Sequence, residues 1–241
     1  MNFGRDNVAV IGMSKSRLDL ANQPGYTYEP YHSTARRAPV KPLIFLPHTL
    51  SERTGPIFGD TPIAETDHDL TRQHPDEPLG QRMIVEGRVV DEEGNPLPRT
   101  LIEIWQTNAA GRYRHKLDDF RAPLDPNFTG SGRILTDENG HYRFLTVKPG
   151  AYPWNNHPNA WRPAHIHFSL FGPSFVSRFM TQMYFDGDPM LNYDPVFQAI
   201  PDRAKHRVLA GFDINLTEEK WALGYRFDLV LRGPDATPSE A

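Results

Sequence analysis

The sequence predicts an all-β protein: a β-sandwich of mixed and antiparallel strands with long loops, an extended N-terminal arm and one short helix. Three observations carry this. From residue 81 onward, short apolar and β-branched runs recur, each bounded by Gly, Pro, Asn or Asp. Several of them alternate apolar and polar residues with the period of two that a strand imposes. One segment alone has both the start and stop signals of a helix. Many short strands at this spacing suit a sandwich or barrel.

The elements follow in chain order. Residues 1–80 are polar, irregular and proline-rich, with PGYTYEPYHS and HPDEPLG as turn-forming pieces. They read as an arm that packs on a partner chain, with at most a short helix near HTLSERTG. RMIVEGRVVD is a strand and EEGNP its turn. RTLIEIWQTN is apolar at nearly every position from Leu101 to Trp105, so it is expected to be buried on both faces. RILTD, the ENG turn with Gly140, and HYRFLTV read as a hairpin. AHIHFSLF and RFMTQMYFDGDP are further strands. YRFDLVLRG is another, with Tyr225, Phe227, Leu229 and Leu231 on one face. PDRAKHRVLAGF is the helix, opened by Pro201 and Asp202 and closed by Gly211. RGPDATPSEA reads as a frayed tail. The domain division is therefore an arm (1–80), a catalytic sandwich (81–232) and a flexible tail (233–241).

Composition excludes several classes of function. The 241 residues carry a net charge of -4, which argues against a nucleic-acid surface. No apolar run reaches the 18 residues of a membrane span. The N-terminal residues lack the pattern of a signal peptide, so the cytoplasm is the expected compartment. Cysteine is absent, which removes disulfides, thiolate nucleophiles and thiolate metal sites. Any metal must be held by nitrogen and oxygen.

The chemistry concentrates in RPAHIHF, residues 162 to 168. On a strand, His165 and His167 share one face while Ile166, Phe168 and Leu170 take the core face. Ten histidines yield roughly 0.4 such pairs by chance, so the pair by itself is weak. Two half-exposed strand histidines remain an alternative at this point. GRYRHK and GAYPWN each place a tyrosine shortly after a glycine near a strand end, giving Tyr113 and Tyr152. Their ordinary readings are a surface tyrosine for Tyr113 and a corner tyrosine for Tyr152. Two imidazoles with two phenolates suit a hard, highly charged cation, and ferric iron fits. Two phenolates and one hydroxide would neutralise it in a buried site. Spacing alone does not force that choice.

GRYRHKLDDFRAPLDPNFTGSGR, GHYRFLTVKPGAYPW and NAWRPAHIHFSL together closely resemble the intradiol ring-cleaving dioxygenases, in particular the catalytic chains of their two-chain members. The similarity runs from about Tyr31 through RFDLVLRG. It implies a β-sandwich that cleaves protocatechuate with O2 to 3-carboxy-cis,cis-muconate. It implies that Tyr113, Tyr152, His165 and His167 ligate a non-haem ferric ion (Fe3+), with hydroxide as fifth ligand. Tyr152 would leave when substrate chelates. Arg162 would stabilise negative charge on the substrate ring. Tyr31, Trp154, Gln182 and Val196 match residues lining the substrate pocket, Tyr31 near the acidic substituent. The implied partner is an α chain, in an (αβ)n hetero-oligomer with the active site at the interface.

The chain departs from the family pattern at Asn155, where Arg is usual, and at Asp186, where Glu is usual. Val196 replaces a larger branched residue, widening the pocket by a methylene, about 1 kcal/mol. Another substituted catechol, such as 4-sulfocatechol, is therefore an alternative substrate. Two rival readings need no tyrosine ligand: a cupin-like oxygenase using the His pair with a carboxylate and a third histidine, and a non-catalytic transthyretin-like sandwich.

Overall fold

The computed structural model describes residues 20–41, 63–172 and 178–240. The helix expected near HTLSERTG lies outside them. Eleven strands form the body: β1 (Arg82–Val90), β2 (Leu101–Trp105), β3 (Ser131–Leu135), β4 (His141–Val147), β5 (Tyr152–Pro153), β6 (Trp161–Arg162), β7 (His165–Phe171), β8 (Phe179–Phe185), β9 (Leu209–Phe212), β10 (Leu223–Arg226) and β11 (Leu229–Val230). Among the described residues, three one-turn α-helices, α1 (Thr34–Arg37), α2 (Pro195–Gln198) and α3 (Asp202–Lys205), decorate it. No described helix is long and apolar enough to cross a membrane.

Nine strands make one folded-over mixed sheet, in the order β11-β1-β10-β9-β8-β7-β2-β3 with β4 on β1. One layer is β4-β1-β10, the other β8-β7-β2-β3, and β9 pairs with both β10 and β8. The fold is thus the expected sandwich, joined along one edge. Its core is fed from both layers: Met83, Val85 and Phe144 face Ile102, Ile104, Ile166, Phe168 and Leu170. Phe168 touches Phe144 and Phe227, with ring centroids 5.9 and 5.3 Å apart.

Several elements differ from expectation. β3 and β4 are not a paired hairpin. β3 pairs with β2 and β4 with β1, so the Asp137–Gly140 turn carries the chain between layers. The turn itself is as read, with Gly140 at φ 70 and its N–H donating to Asp137 O. Ile134 and the Tyr142/Phe144 pair must face one core from opposite sides, and that burial outweighs local pairing. β2 is not buried on both faces: Ile102 and Ile104 are buried, while Leu101, Glu103 and Trp105 are half-buried. YRFDLVLRG is split at Phe227–Asp228. The register on β1 is kept, with Arg226 opposite Glu86 and Leu229 opposite Val89. In the gap the Asp228 carboxylate, not a carbonyl, accepts from Arg88 N at 2.8 Å.

The helix from Pro201 ends after one turn. Leu209–Phe212 is instead the strand that links the layers, because Ala210 is needed in the core between β8 and β10. The core also reaches back into the arm. Leu70 is fully buried, and its N–H donates to Leu145 O at 2.9 Å.

The expectation of a frayed tail is corrected. Residues 236–238 are buried, Thr237 N donates to Val230 O, and Thr181 Oγ1 donates to Pro238 O at 2.7 Å. Polar and proline-rich composition suggested solvent. Side-chain and backbone partners on β8 and β11 satisfy those polar groups instead.

Candidate metal centre

The imidazoles of His165 and His167 lie on the face of β7 turned away from Ile166 and Phe168, and both are almost fully buried. Neighbouring strands set their surroundings: Trp105 and Gln182 stand opposite His167, and Tyr184 stands opposite His165. The Trp105 and His167 rings stack 4.7 Å apart, within 3° of parallel. His165 Nδ1 sits 2.7 Å from Pro163 O, so it carries the proton and leaves its lone pair on Nε2.

Two glycines bring the tyrosines in. Gly111 has φ 82, and a β-carbon there would overlap the Ala151 carbonyl. A β-carbon on Gly150 would in turn overlap the backbone of Gly111 and Ala109. The two loops therefore touch backbone to backbone, with Gly111 N and Gly150 N both donating to Asn108 O. Tyr113 and Tyr152 then meet edge to face, 5.4 Å between centroids. Tyr113 is further clamped by its N–H donating to Asp118 Oδ2 at 2.7 Å. Arg112 holds that loop closed through the carbonyls of Asp118, Phe120 and Ala122. Tyr152 lies on the small β5–β6 ribbon, directly opposite Arg162.

Four donor atoms converge. His165 Nε2 and His167 Nε2 are 3.2 Å apart, Tyr113 Oη is 3.2 Å from His167 Nε2, and Tyr152 Oη is 3.5 Å from His165 Nε2. Ligands about 2.0–2.1 Å from a shared tetrahedral centre stand about 3.3 Å from one another. The donor set therefore fits one cation. Burial, with Arg162 adding to it, holds His165 well below the usual histidine range, and burial also lowers His167. Both are neutral, as ligation requires. Burial raises the Tyr113 phenol well above its ordinary value, with Tyr152 adding to it, and raises Tyr152 less, because Arg162 and a hydrogen bond with Tyr113 oppose it. Only a strongly polarising cation would ionise both at neutral pH.

Beside this cluster, Arg162 is 5% exposed and its Nε lies 3.0 Å from Oδ1 of Asp194, which is fully buried. Burial opposes the guanidinium's charge, but Asp194 together with the Tyr184, Tyr152 and Tyr113 hydroxyls more than offsets it, and Arg162 stays protonated. Arg162 Nη2 donates to Gln182 Oε1 and Tyr184 Oη, and its guanidinium lies 5.3 Å from the Trp154 ring centre. Trp154 packs edge-on against Tyr31, 5.0 Å between centroids. Tyr31, Gln182 and Val196 line one pocket with Arg37, Tyr184 and Glu240. All nine residues singled out from the sequence thus fall in one neighbourhood.

Sequence reasoning missed Asp194, Tyr184 and Glu240. Asp194 had a partial signal: Asp before Pro195 is a helix N-cap pattern, and its Oδ1 accepts from Val196 N at 3.0 Å. Tyr184 follows from alternation, two residues beyond Gln182 on β8. Glu240, whose Oε2 lies 3.3 Å from His167 Nδ1, has no local signal.

A folded-over β-sandwich carrying two imidazoles and two phenols on one buried centre defines the intradiol class of oxygenase. Residues 53–233 match the model of the family described as Dioxygenase, and the chain belongs to the intradiol dioxygenase family. Over 224 residues it is 56% identical to the protocatechuate 3,4-dioxygenase beta chain of Burkholderia cepacia, covering 92% of this chain and 95% of that one. It is 29% identical to the alpha chain from the same organism, covering 66% of this chain and 76% of that one. Among solved structures, 3-chlorocatechol 1,2-dioxygenase from Rhodococcus opacus 1CP aligns with a TM-score of 0.55 at 26% identity, over 74% of this chain and 69% of that one.

Proposed function

We propose that this chain is the iron-bearing chain of an α/β hetero-oligomeric intradiol dioxygenase acting on protocatechuate (3,4-dihydroxybenzoate). The ring opens between the two hydroxyl-bearing carbons, both atoms of O2 enter the product, and 3-carboxy-cis,cis-muconate is formed. The observation that carries this is the convergence of four donor atoms from Tyr113, Tyr152, His165 and His167 at 3.2 to 3.5 Å. The α/β assembly rests on the strong likeness to a relative named a beta chain and the weaker one to alpha chains.

These four side chains would hold Fe3+ together with a hydroxide. When bound, that ion supplies a Lewis acid strong enough to keep two phenolates ionised and to draw electron density from a chelated catecholate, so that O2 attacks carbon. The chain's own residues do the rest. A catechol brings two phenolic protons, and a buried site that is to stay neutral would have to take both up as the dianion binds. Tyr152 Oη would accept one of them, and a hydroxide held with the ion would accept the other. Tyr152 is the freer phenol, on a two-residue strand, whereas the Tyr113 backbone is clamped by Asp118. Arg162, kept charged by Asp194, stabilises negative charge that develops on the ring. Trp154 and Val196 wall the ring, and Tyr31 receives its carboxylate, with the Arg37 guanidinium 4.6 Å from the Tyr31 ring centre adding positive charge.

The test is a visible spectrum of the chain co-purified with its α partner, before and after protocatechuate is added without oxygen. A broad tyrosinate-to-ferric band that moves to longer wavelength is the expected result. Tyr113→Phe and Tyr152→Phe should each shift or weaken it. A colourless, iron-replete protein would overturn the tyrosinate centre. A band that ignores protocatechuate but responds to 4-sulfocatechol would keep the centre and reassign the substrate to the wider pocket that Val196 leaves.

A further inference from the structure

The two histidines are held differently. His165 Nδ1 faces a neutral backbone carbonyl, whereas His167 Nδ1 faces the Glu240 carboxylate at 3.3 Å. Stacking on Trp105 fixes the plane of the His167 ring but not which edge faces which way, since a half-turn rotation about Cβ–Cγ keeps the same plane. A hydrogen bond at Nδ1 fixes that rotation, places the proton on Nδ1 and turns the Nε2 lone pair toward the other donors.

Glu240 is itself built into place. Its N–H donates to Met180 O at 2.7 Å, and Ser239 N and Oγ both donate to Gln23 Oε1 at 2.7 and 2.9 Å. Asn22 Nδ2 donates to Pro234 O, so the arm and this segment tie each other down. Gln182 Oε1 is taken by Arg162 and Tyr184, which turns its amide nitrogen toward Glu240. A buried hydrogen-bonded segment thus carries a carboxylate to the outer edge of one imidazole.

We propose that Glu240 is a positioning residue for His167. This rests on the four-donor reading above. The carboxylate makes His167 the more strongly donating of the two imidazoles and locks its orientation, so its loss weakens iron retention and perturbs the tyrosinate band.

The experiment uses the chain co-expressed with its α partner and loaded with iron. Glu240→Ala, Glu240→Gln and Ser239→Ala are compared for the rate of iron loss to a chelator and for the position of the visible band. Glu240→Ala should lose iron about 10- to 100-fold faster, with a shifted band. Glu240→Gln, which keeps an acceptor, should recover most of the retention. Ser239→Ala removes only the Oγ bond to Gln23, keeps the backbone bonds of Ser239 and Glu240 and leaves the carboxylate untouched, so it should match the parent. If Ser239→Ala weakened iron as much as Glu240→Ala, the effect would belong to docking of the segment and the role given to the carboxylate would fall. A coloured parent whose Glu240→Ala variant is indistinguishable overturns this inference alone. A parent without the tyrosinate band overturns the four-donor reading and this inference with it.

Discussion

Arg162 and Asp194 form a buried pair, and the pair explains why a cation can sit beside two protonatable imidazoles at all. Removing the carboxylate leaves a guanidinium buried and unpaired, which costs about 3–5 kcal/mol. Urea unfolding of Asp194→Ala should show that loss. Asp194→Asn keeps an acceptor for Val196 N, so it should be about 1 kcal/mol less damaging. Parent-like stability in both would mean that Asp194 does not compensate the charge. The histidines give a second prediction, for protein stripped of metal by a chelator. Their folded pKa values lie below the unfolded value near 6.5. Above that value neither state is protonated and nothing is lost. As pH falls below it, the unfolded chain takes up protons that the folded chain refuses, so stability declines until the folded values are reached. With both histidines contributing, the slope should approach about 2.7 kcal/mol per pH unit in that window. A flat stability profile between pH 6.5 and 5 would contradict the buried neutral pair. At this scale the sequence was informative where side-chain chemistry is rare, as at His165, His167, Tyr113 and Tyr152. It was silent about Glu240, because nothing in a polar proline-rich segment signals what it will pack against.

Among the elements, the contact between the loops at Gly111 and Gly150 decides whether the two tyrosines meet. A methyl group at Gly111 collides with the Ala151 carbonyl and also sits at φ 82, where a side chain costs about 1–2 kcal/mol. Gly111→Ala should lower the melting temperature, and it should weaken the visible band more than the stability loss alone accounts for, because Tyr113 moves away from Tyr152. A variant that melts early yet keeps the parental band would show that the tyrosines are placed independently of this contact. The GRY and GAY motifs drew attention for their tyrosines, and the structure gives the glycines their reason. The strands on which the histidines and Gln182 sit were legible from alternation. The short β5–β6 ribbon was not, since two-residue strands have no period to read.

For the whole molecule, Leu117, Leu124 and Trp161 are exposed, with Trp161 against Phe120 near the loop that carries Tyr113. Apolar residues gathered at the edge of a buried site suit an interface. The chain expressed alone should therefore aggregate or lose iron, and co-expression with an α chain should restore a single assembly by size-exclusion chromatography. A monodisperse, fully active chain on its own would refute this. The sequence by itself determined the fold class, most of the strands and the family, and it singled out the candidate donor residues. It did so because strand burial has a period of two and because the GRY, GAYPW and HIH motifs lie within short stretches of chain. Tertiary structure decided what depends on residues far apart in sequence. It paired β3 and β4 with different layers, made a strand of residues 209–212, set Asp194 against Arg162 and brought Glu240 to His167. Each of these is a contact in which burial of an apolar face or satisfaction of a buried charge outweighs what the local sequence prefers.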